Sequence, residues 1–206
     1  MKNLILTLLV LVSSLVNAQG QFEQGMGKAM KLWSENKNDE ASAMFERIAL
    51  AEKNSWLPNY YIAAVNTFAT FGMTDKVKLE SMLNKSQSAI EIELAKNPSN
   101  DELLVMQAMI HTAWVAYDPM TNGMKLSSKV MDAYSKAIVI NPNNPRAVFG
   151  KADFGIGGAK WTGANVKELC KDVERSIELF KKFKPETPFS PKWGMERALQ
   201  TFENCK

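Results

Sequence analysis

Ala133-Tyr134-Ser135-Lys136-Ala137-Ile138-Val139-Ile140-Asn141-Pro142-Asn143-Asn144, followed at once by Pro145, is the stretch that decides the fold. With Val130 just before it, Tyr134 and Ala137 recur at three- and four-residue steps, which places them on one face of a helix. Asn141-Pro142 closes that helix, because the residue before a proline is pushed away from helical geometry. Asn144-Pro145 opens the next one, with proline at an early position where its missing N–H costs nothing. A helix, a short turn and a second helix follow one another with no room for a strand.

The same reading extends in both directions. Towards the N-terminus, Phe22, Met26, Ala29, Met30 and Trp33 share a helical face, and Asn36 to Asp39 interrupts it with Asn38 as the expected N-cap. Ala41, Phe45, Ile48 and Ala49 form a second face, and Pro58 starts a third helix carrying Tyr61, Ala64, Val65 and Phe68. A fourth helix is predicted from about Asp75 to Lys96. Ser99 and Glu102 have the spacing of a capping box, opening a helix with Leu104, Ala108, His111 and Val115 that Asp118-Pro119 stops. The next helix is predicted over Lys125 to Ile140. The helix from Pro145 should break early, at Gly155 to Gly158. Val166, Leu169, Cys170, Val173, Ile177 and Phe180 give a clean stripe after it. Pro185, Pro188 and Pro191 separate that stripe from a last short helix with Met195, Leu199 and Phe202. Alternation with β-branched residues is missing throughout.

Helices in pairs call for a repeat test. Pro58 to Asp101 is 43 residues and Asp101 to Pro145 is 44. In that frame Tyr61, Leu104 and Val148 coincide, as do Val65, Ala108 and Ala152, and Phe68, His111 and Gly155. Large, small, large is the order that lets a partner helix approach at the small residue. The second helices match more sharply. An aromatic at Tyr134, Ala137 three on and Pro142 five further on resembles the end of a tetratricopeptide repeat. Ala41, Phe45 and Ile48 resemble the same helix in an earlier unit, Asn97-Pro98-Ser99-Asn100 resembles its closing turn, and Val173, Ile177, Phe180 and Pro185 fit with bulkier substitutes. The period is longer than the family's ~34 residues, the extra residues falling near Gly72-Met73-Thr74, Asp118 to Met124 and Gly155 to Ala164. The Trp-Leu-Gly signature of the first helix is poorly kept. The resemblance implies an all-α, tetratricopeptide-like αα-superhelix of about four helix pairs plus a C-terminal capping helix, in an exported bacterial member of that family.

Export is read from the first residues. Lys2 precedes the apolar run Leu4 to Val12, and Ser13 to Ala18 turns small and polar, with Val16-Asn17-Ala18 before a cut. That is a secretory signal peptide over 1–18, too short to span a membrane. Residues 19–206 remain as one helical repeat domain, periplasmic or secreted and soluble after cleavage. The formal net charge is +3, falling to +2 without Lys2, with both signs interspersed, which is no nucleic-acid footprint. Cys170 and Cys205 are the two cysteines. An antiparallel hairpin turning near Thr187 or Pro188 puts both at one level, and the exported compartment favours a bridge between them.

Site candidates are few. His111 is the only histidine; in the large slot of a repeat it reads first as a packed, hydrogen-bonded core residue. No metal site is expected, because neither a second histidine nor a spaced carboxylate accompanies it. No GxSxG nucleophile motif occurs, and Gly155-Ile156-Gly157-Gly158-Ala159-Lys160 lacks phosphate-loop spacing. It reads instead as an irregular loop whose tip, Lys160 and Trp161, could touch a partner. The resemblance implies a concave face lined by the first helices, here Met26, Met30, Ile62, Asn66, Val105, Met109, Phe149 and Asp153. With Asn66 the only residue of carboxylate-gripping type in that set, an apolar segment of another protein or peptide is the expected partner. The function expected is therefore non-catalytic protein or peptide binding in the bacterial envelope, without a cofactor. The rival is a small-ligand carrier or enzyme using the loop 155–164 and His111.

Overall fold

Asparagine and aspartate side chains set most of the helix starts. The computed structural model describes residues 20–205; the leader expected over 1–18 lies outside them. Helix α1 spans 20–34. It is followed by α2 (Asn38–Ala51), α3 (Leu57–Ala69), α4 (Lys76–Lys96), α5 (Asp101–Tyr117), α6 (Pro119–Ile140), α7 (Pro145–Thr162), α8 (Val166–Lys182) and α9 (Met195–Glu203). Asp75, Asn100, Asp118, Asn144 and Asn165 each accept a backbone N–H from the first turn of the helix they precede. No strand occurs among the described residues.

Four local expectations are corrected. Asn100, not Ser99, caps α5, and Glu102 turns away from the backbone to meet a buried arginine. Asn38 is the first residue of α2, whose N-cap Lys37 makes no side-chain cap bond. Asp118 both ends α5 and caps α6, so residues 119–124 are helix rather than connection. Most importantly, α7 runs straight through Gly155 to Gly158 and stops only at Gly163, whose φ of 70° ends it in the left-handed region. At Gly150 and Gly155 the reason for glycine is close approach, whereas a Cβ on Gly157 or Gly158 would meet nothing within 4 Å among the described residues. A Cβ on Gly150 would lie 2.5 Å from the Tyr134 ring, and one on Gly155 would lie 3.1 Å from Leu169. The glycines let α6 and α8 close on α7, and the tighter packing offsets their cost of about 1 kcal/mol each in a helix.

Consecutive helices pack on one another from α2 to α9, and α3 also meets α5 as α5 meets α7. The first helices of the pairs therefore form an inner layer and α2, α4, α6 and α8 an outer one: four pairs and a capping helix, α9, which lies on α8 and touches α7. The core divides accordingly. Met26, Phe45, Tyr61, Leu83 and Ile90 belong to one buried cluster, Val105, Val130 and Tyr134 to a second, and Phe149, Val173, Ile177 and Ala198 to a third.

The inner face is covered by the chain itself. Between α8 and α9, residues 183–194 run without helix across the first helices. The Tyr61 hydroxyl donates to the Phe189 carbonyl at 2.7 Å, and the Trp193 indole N–H donates to the Tyr60 hydroxyl at 2.7 Å. Phe189 meets Phe22 edge-on, and Trp193 meets Phe68 likewise. Burial pushes the Tyr60 phenol well above its ordinary range, so it stays a neutral acceptor for the indole. Beneath this strap lies a buried ion pair. The Arg146 Nε donates to both Glu102 oxygens at 3.0 and 2.9 Å, and its Nη2 donates to Oε1 at 2.6 Å. Asn144 donates to Glu102 and to Asp101, and Asn141 donates to Asp101 as well. The Phe183 ring lies 4.4 Å from the guanidinium carbon. The pair joins α5 to α7, and the strap seals it from water.

Cys170 and Cys205 are bonded, with Cα atoms 5.9 Å apart, so α9 is tied to the start of α8. Reducing this bond, or Cys170→Ser, is expected to cost about 2–4 kcal/mol in urea denaturation. Unchanged midpoints with and without reductant would remove the bridge from the stability account. The ion pair makes a separate expectation. Arg146→Met leaves a carboxylate buried alone and should cost about 3–5 kcal/mol, and adding Glu102→Leu should recover most of that loss. A double variant no more stable than the single one would mean that Arg146 acts through its contacts with Phe183 and Trp193 instead.

Candidate functional site

The residues expected on the concave face are interior. Met26, Ile62, Asn66, Val105 and Phe149 are buried, and Met30, Met109 and Asp153 are half-buried. Each sits on a seam between helices. Asn66 donates to Ser42 on α2 and to the Ile62 carbonyl one turn back. The Met109 sulfur accepts from the Tyr134 hydroxyl at 3.1 Å. Asp153 accepts from Thr201 on α9 at 2.9 Å. The inner surface proper is made by Tyr60, Tyr61, Phe68 and Arg146, and the strap takes it up. The other expected contact, Lys160 and Trp161, is the last turn of α7 rather than a loop tip. The Lys160 ammonium lies 4.0 Å over the exposed Trp161 ring.

A concavity remains along α5 and α6, with Pro98 of the turn between α4 and α5 at one end. Leu104, Gln107 and His111 lie three and four residues apart on α5, so they form one stripe. Along this stripe two shallow hollows of about 350 and 300 Å³ meet at Leu104, Asp132 and Lys136. The first is apolar, walled by Pro98, Val139 and Ile140. The second is mixed, walled by Leu104 and Ala133 as well as by Lys129, Asp132 and Lys136 around His111. The groove is thus amphipathic along its length.

His111 is half-buried and hydrogen-bonded, but on a groove floor rather than in the core. Gln107 Nε2 lies 3.2 Å from its Nε2. A carboxamide N–H can only donate there, so this contact assigns the lone pair to Nε2 and the proton to Nδ1. Gln107 is held in turn by Gln87 on α4 through reciprocal bonds of 2.8 and 2.9 Å, and Gln87 donates to Glu91 at 2.7 Å. Burial first, and the Lys129 charge second, lower the His111 pKa below the ordinary histidine value. The imidazole is therefore neutral at pH 7, the form that ligates metals. Among the described residues no group of three or more His, Cys, Asp or Glu side chains could hold a bare metal ion.

Of the groove residues, sequence reading singled out only His111. Lys129, Asp132, Lys136 and Val139 share a face of α6 by their three- and four-residue spacing, as Leu104, Gln107 and His111 do on α5. Two polar stripes on consecutive helices of one repeat are the signal that could have located the groove.

No family model matches the chain, and no curated protein matches it. Among solved structures it is similar to the HusA haemophore from Porphyromonas gingivalis, with a TM-score of 0.79 and 22% identity over 89% of this chain and 92% of that one. It is also similar to a thermophilic TPR protein in Thermus thermophilus, with a TM-score of 0.59 and 9% identity over 89% and 98%. Likeness at such identities concerns the backbone alone, and what it establishes is that the chain has an all-helical, tetratricopeptide-like fold.

Proposed function

We propose that this chain is a non-catalytic carrier working outside the cytoplasm, and that its ligand is of the haem class: flat, apolar at the centre, anionic at one edge and able to take an imidazole. The observation that carries the proposal is the order of groups along the groove over α5. Pro98, Leu104, Val139 and Ile140 offer apolar contact, Lys129 and Lys136 offer ammonium groups for carboxylates, and His111 offers a neutral nitrogen in the same hollow as the two lysines. Proximal histidine is a common axial ligand of haem iron. Gln107 would have to swing off Nε2 for the iron to take its place. The groove is shallow, which leaves a bound ligand open to hand-over.

Other observations support the reading. The similar fold of the HusA haemophore covers about nine-tenths of both chains. A peptide, the occupant expected of a tetratricopeptide inner face, would have to displace residues 183–194 first. The contact of His111 with Gln107 involves a carboxamide, not a hydroxyl or thiol that it could activate as a nucleophile. The leader pattern and the Cys170–Cys205 bridge both suit an oxidising compartment outside the cytoplasm.

Titration of ferric haem into the protein, followed in the Soret band, tests the proposal. One equivalent should bind, and His111→Ala should shift the band and weaken binding at least about tenfold, which is ~1.4 kcal/mol. Metal-free protoporphyrin should bind this variant as well as it binds the parent. Lys129→Glu with Lys136→Glu should weaken the binding of both ligands, more so at low salt. Haem binding that none of these substitutions alters, with thermal melts unchanged, would place the ligand elsewhere; no spectral change at all would end the haem reading.

A further inference from the structure

More than half of the large exposed apolar side chains among the described residues gather at three turns. Phe71 and Val77 flank the turn between α3 and α4, Met120 and Met124 open α6 after the turn from α5, and Trp161 and Val166 flank the turn from α7 to α8. Val77, Met120, Met124 and Trp161 are 78, 79, 93 and 60% exposed, so they protrude rather than line a hollow. Helices that alternate in direction bring these three turns to one end of the molecule. The closeness of two of them is registered electrostatically: Asp118, held low first by its bonds to Thr121, is lowered further by Lys76 at the start of α4.

The charges of the same turns are sorted. Asp75 and Asp118 use their carboxylates as helix caps, accepting from the Lys78 and Thr121 N–H groups. Glu80 faces Lys76 at 3.8 Å and Glu168 faces Lys171 at 2.8 Å. Lys78, Lys125, Lys160 and Lys167 have no carboxylate partner among the described residues, and Lys160 rests on the Trp161 ring. The edge therefore presents protruding Phe, Met, Trp and Val side chains among unpaired ammonium groups. The remaining intra-pair turn, between α1 and α2, has no exposed large hydrophobic residue and carries Glu35, Asp39 and Glu40, so the surface ends there.

We infer that this edge docks the protein on an anionic lipid surface, with Phe71, Val77, Met120, Met124 and Trp161 entering the headgroup layer and the four lysines meeting lipid phosphates. Long lysine side chains keep their charge at the headgroups while their stems follow apolar neighbours inward. Protruding knobs suit a fluid interface, which closes around them; a protein partner would need matching pockets. No described helix is long and apolar enough to cross a membrane, so the attachment is peripheral and reversible. The groove over α5 is formed by other residues, and lipid docking stands or falls independently of the haem reading.

Vesicle flotation decides it. The protein used is the chain without its first 18 residues, whose apolar run would itself enter lipid; residues 20–205 hold every helix described. It should float with phosphatidylcholine vesicles containing phosphatidylglycerol, and much less with phosphatidylcholine alone. Met124→Asp with Trp161→Asp should reduce its partition at least tenfold, and Lys125→Glu with Lys167→Glu should abolish the preference for anionic lipid. Haem titration of these variants should match the parent, and their circular dichroism melts should too, because the substituted side chains are exposed. Flotation that the substitutions leave unchanged overturns the inference. So does failure to float with either vesicle, and if the same substitutions then abolish capture of an envelope protein, the edge is a protein interface.

Discussion

The buried Arg146–Glu102 pair is the interaction on which the rest of this architecture depends. A guanidinium and a carboxylate taken out of water cost several kcal/mol each unless new partners replace the lost water. Here Asn144 adds a bond to the Glu102 carboxylate and, with Asn141, holds the neighbouring Asp101, while Phe183 covers the cation, whose Nη1 has no hydrogen-bond partner among the described residues. Those residues come from the first turn of α5, the turn before α7 and the segment after α8. The contacts around the pair form only when all three are in place. It therefore fixes the step between the third and fourth helix pairs and, at the same time, the path of the strap. Replacement by apolar residues could match its stability, so its contribution is better understood as registry: a misplaced turn leaves a charge buried and alone.

That dependence explains which parts of the fold could be read from sequence. Helix faces obey local spacing, so the pairs, their order and the capping helix were legible from Tyr134, Ala137 and the 43- and 44-residue steps. The bridge was legible too, because Cys170 and Cys205 stand at nearly equal distances, 18 and 17 residues, from Pro188. What failed was whatever a neighbouring element decides. Gly155 to Gly158 has the local signature of a break, yet Gly150 and Gly155 are there to admit Tyr134 and Leu169, and the helix survives because its neighbours approach. Glu102 has the spacing of a capping-box residue, yet an arginine 44 residues away draws it from the backbone.

The concave face failed for a related reason. Met26, Ile62, Asn66, Val105 and Phe149 were placed by carrying over a family frame whose period is shorter than this chain's. With the longer repeat the carried-over frame no longer holds, and residues it assigns to a groove lie buried among the helices. Asn66 shows it: both amide hydrogens of its carboxamide are used within the fold, by Ser42 and Ile62. Nor does the sequence announce that residues 183–194 will lie across the inner layer. Their three prolines read as a spacer, and only the placement of Phe189 against Phe22 and of Trp193 against Phe68 shows that they are an internal occupant.

An inner face filled in this way changes where such a fold can act. The strap is held at both ends, by α8 and by α9, and the Cys170–Cys205 bridge shortens the tether further. A tethered segment competes at a very high effective concentration, so a free peptide gains little by offering the same aromatic contacts. The open surfaces are then the outer groove over α5 and the row of turns at one end. Both owe their chemistry to residues outside the three buried clusters: Lys129, Lys136 and His111 in the groove, and Met120, Met124 and Trp161 on the edge. Leaving such apolar side chains in water forgoes the burial free energy each could contribute to the core, and their gathering at three neighbouring turns is what sets them apart from ordinary surface residues.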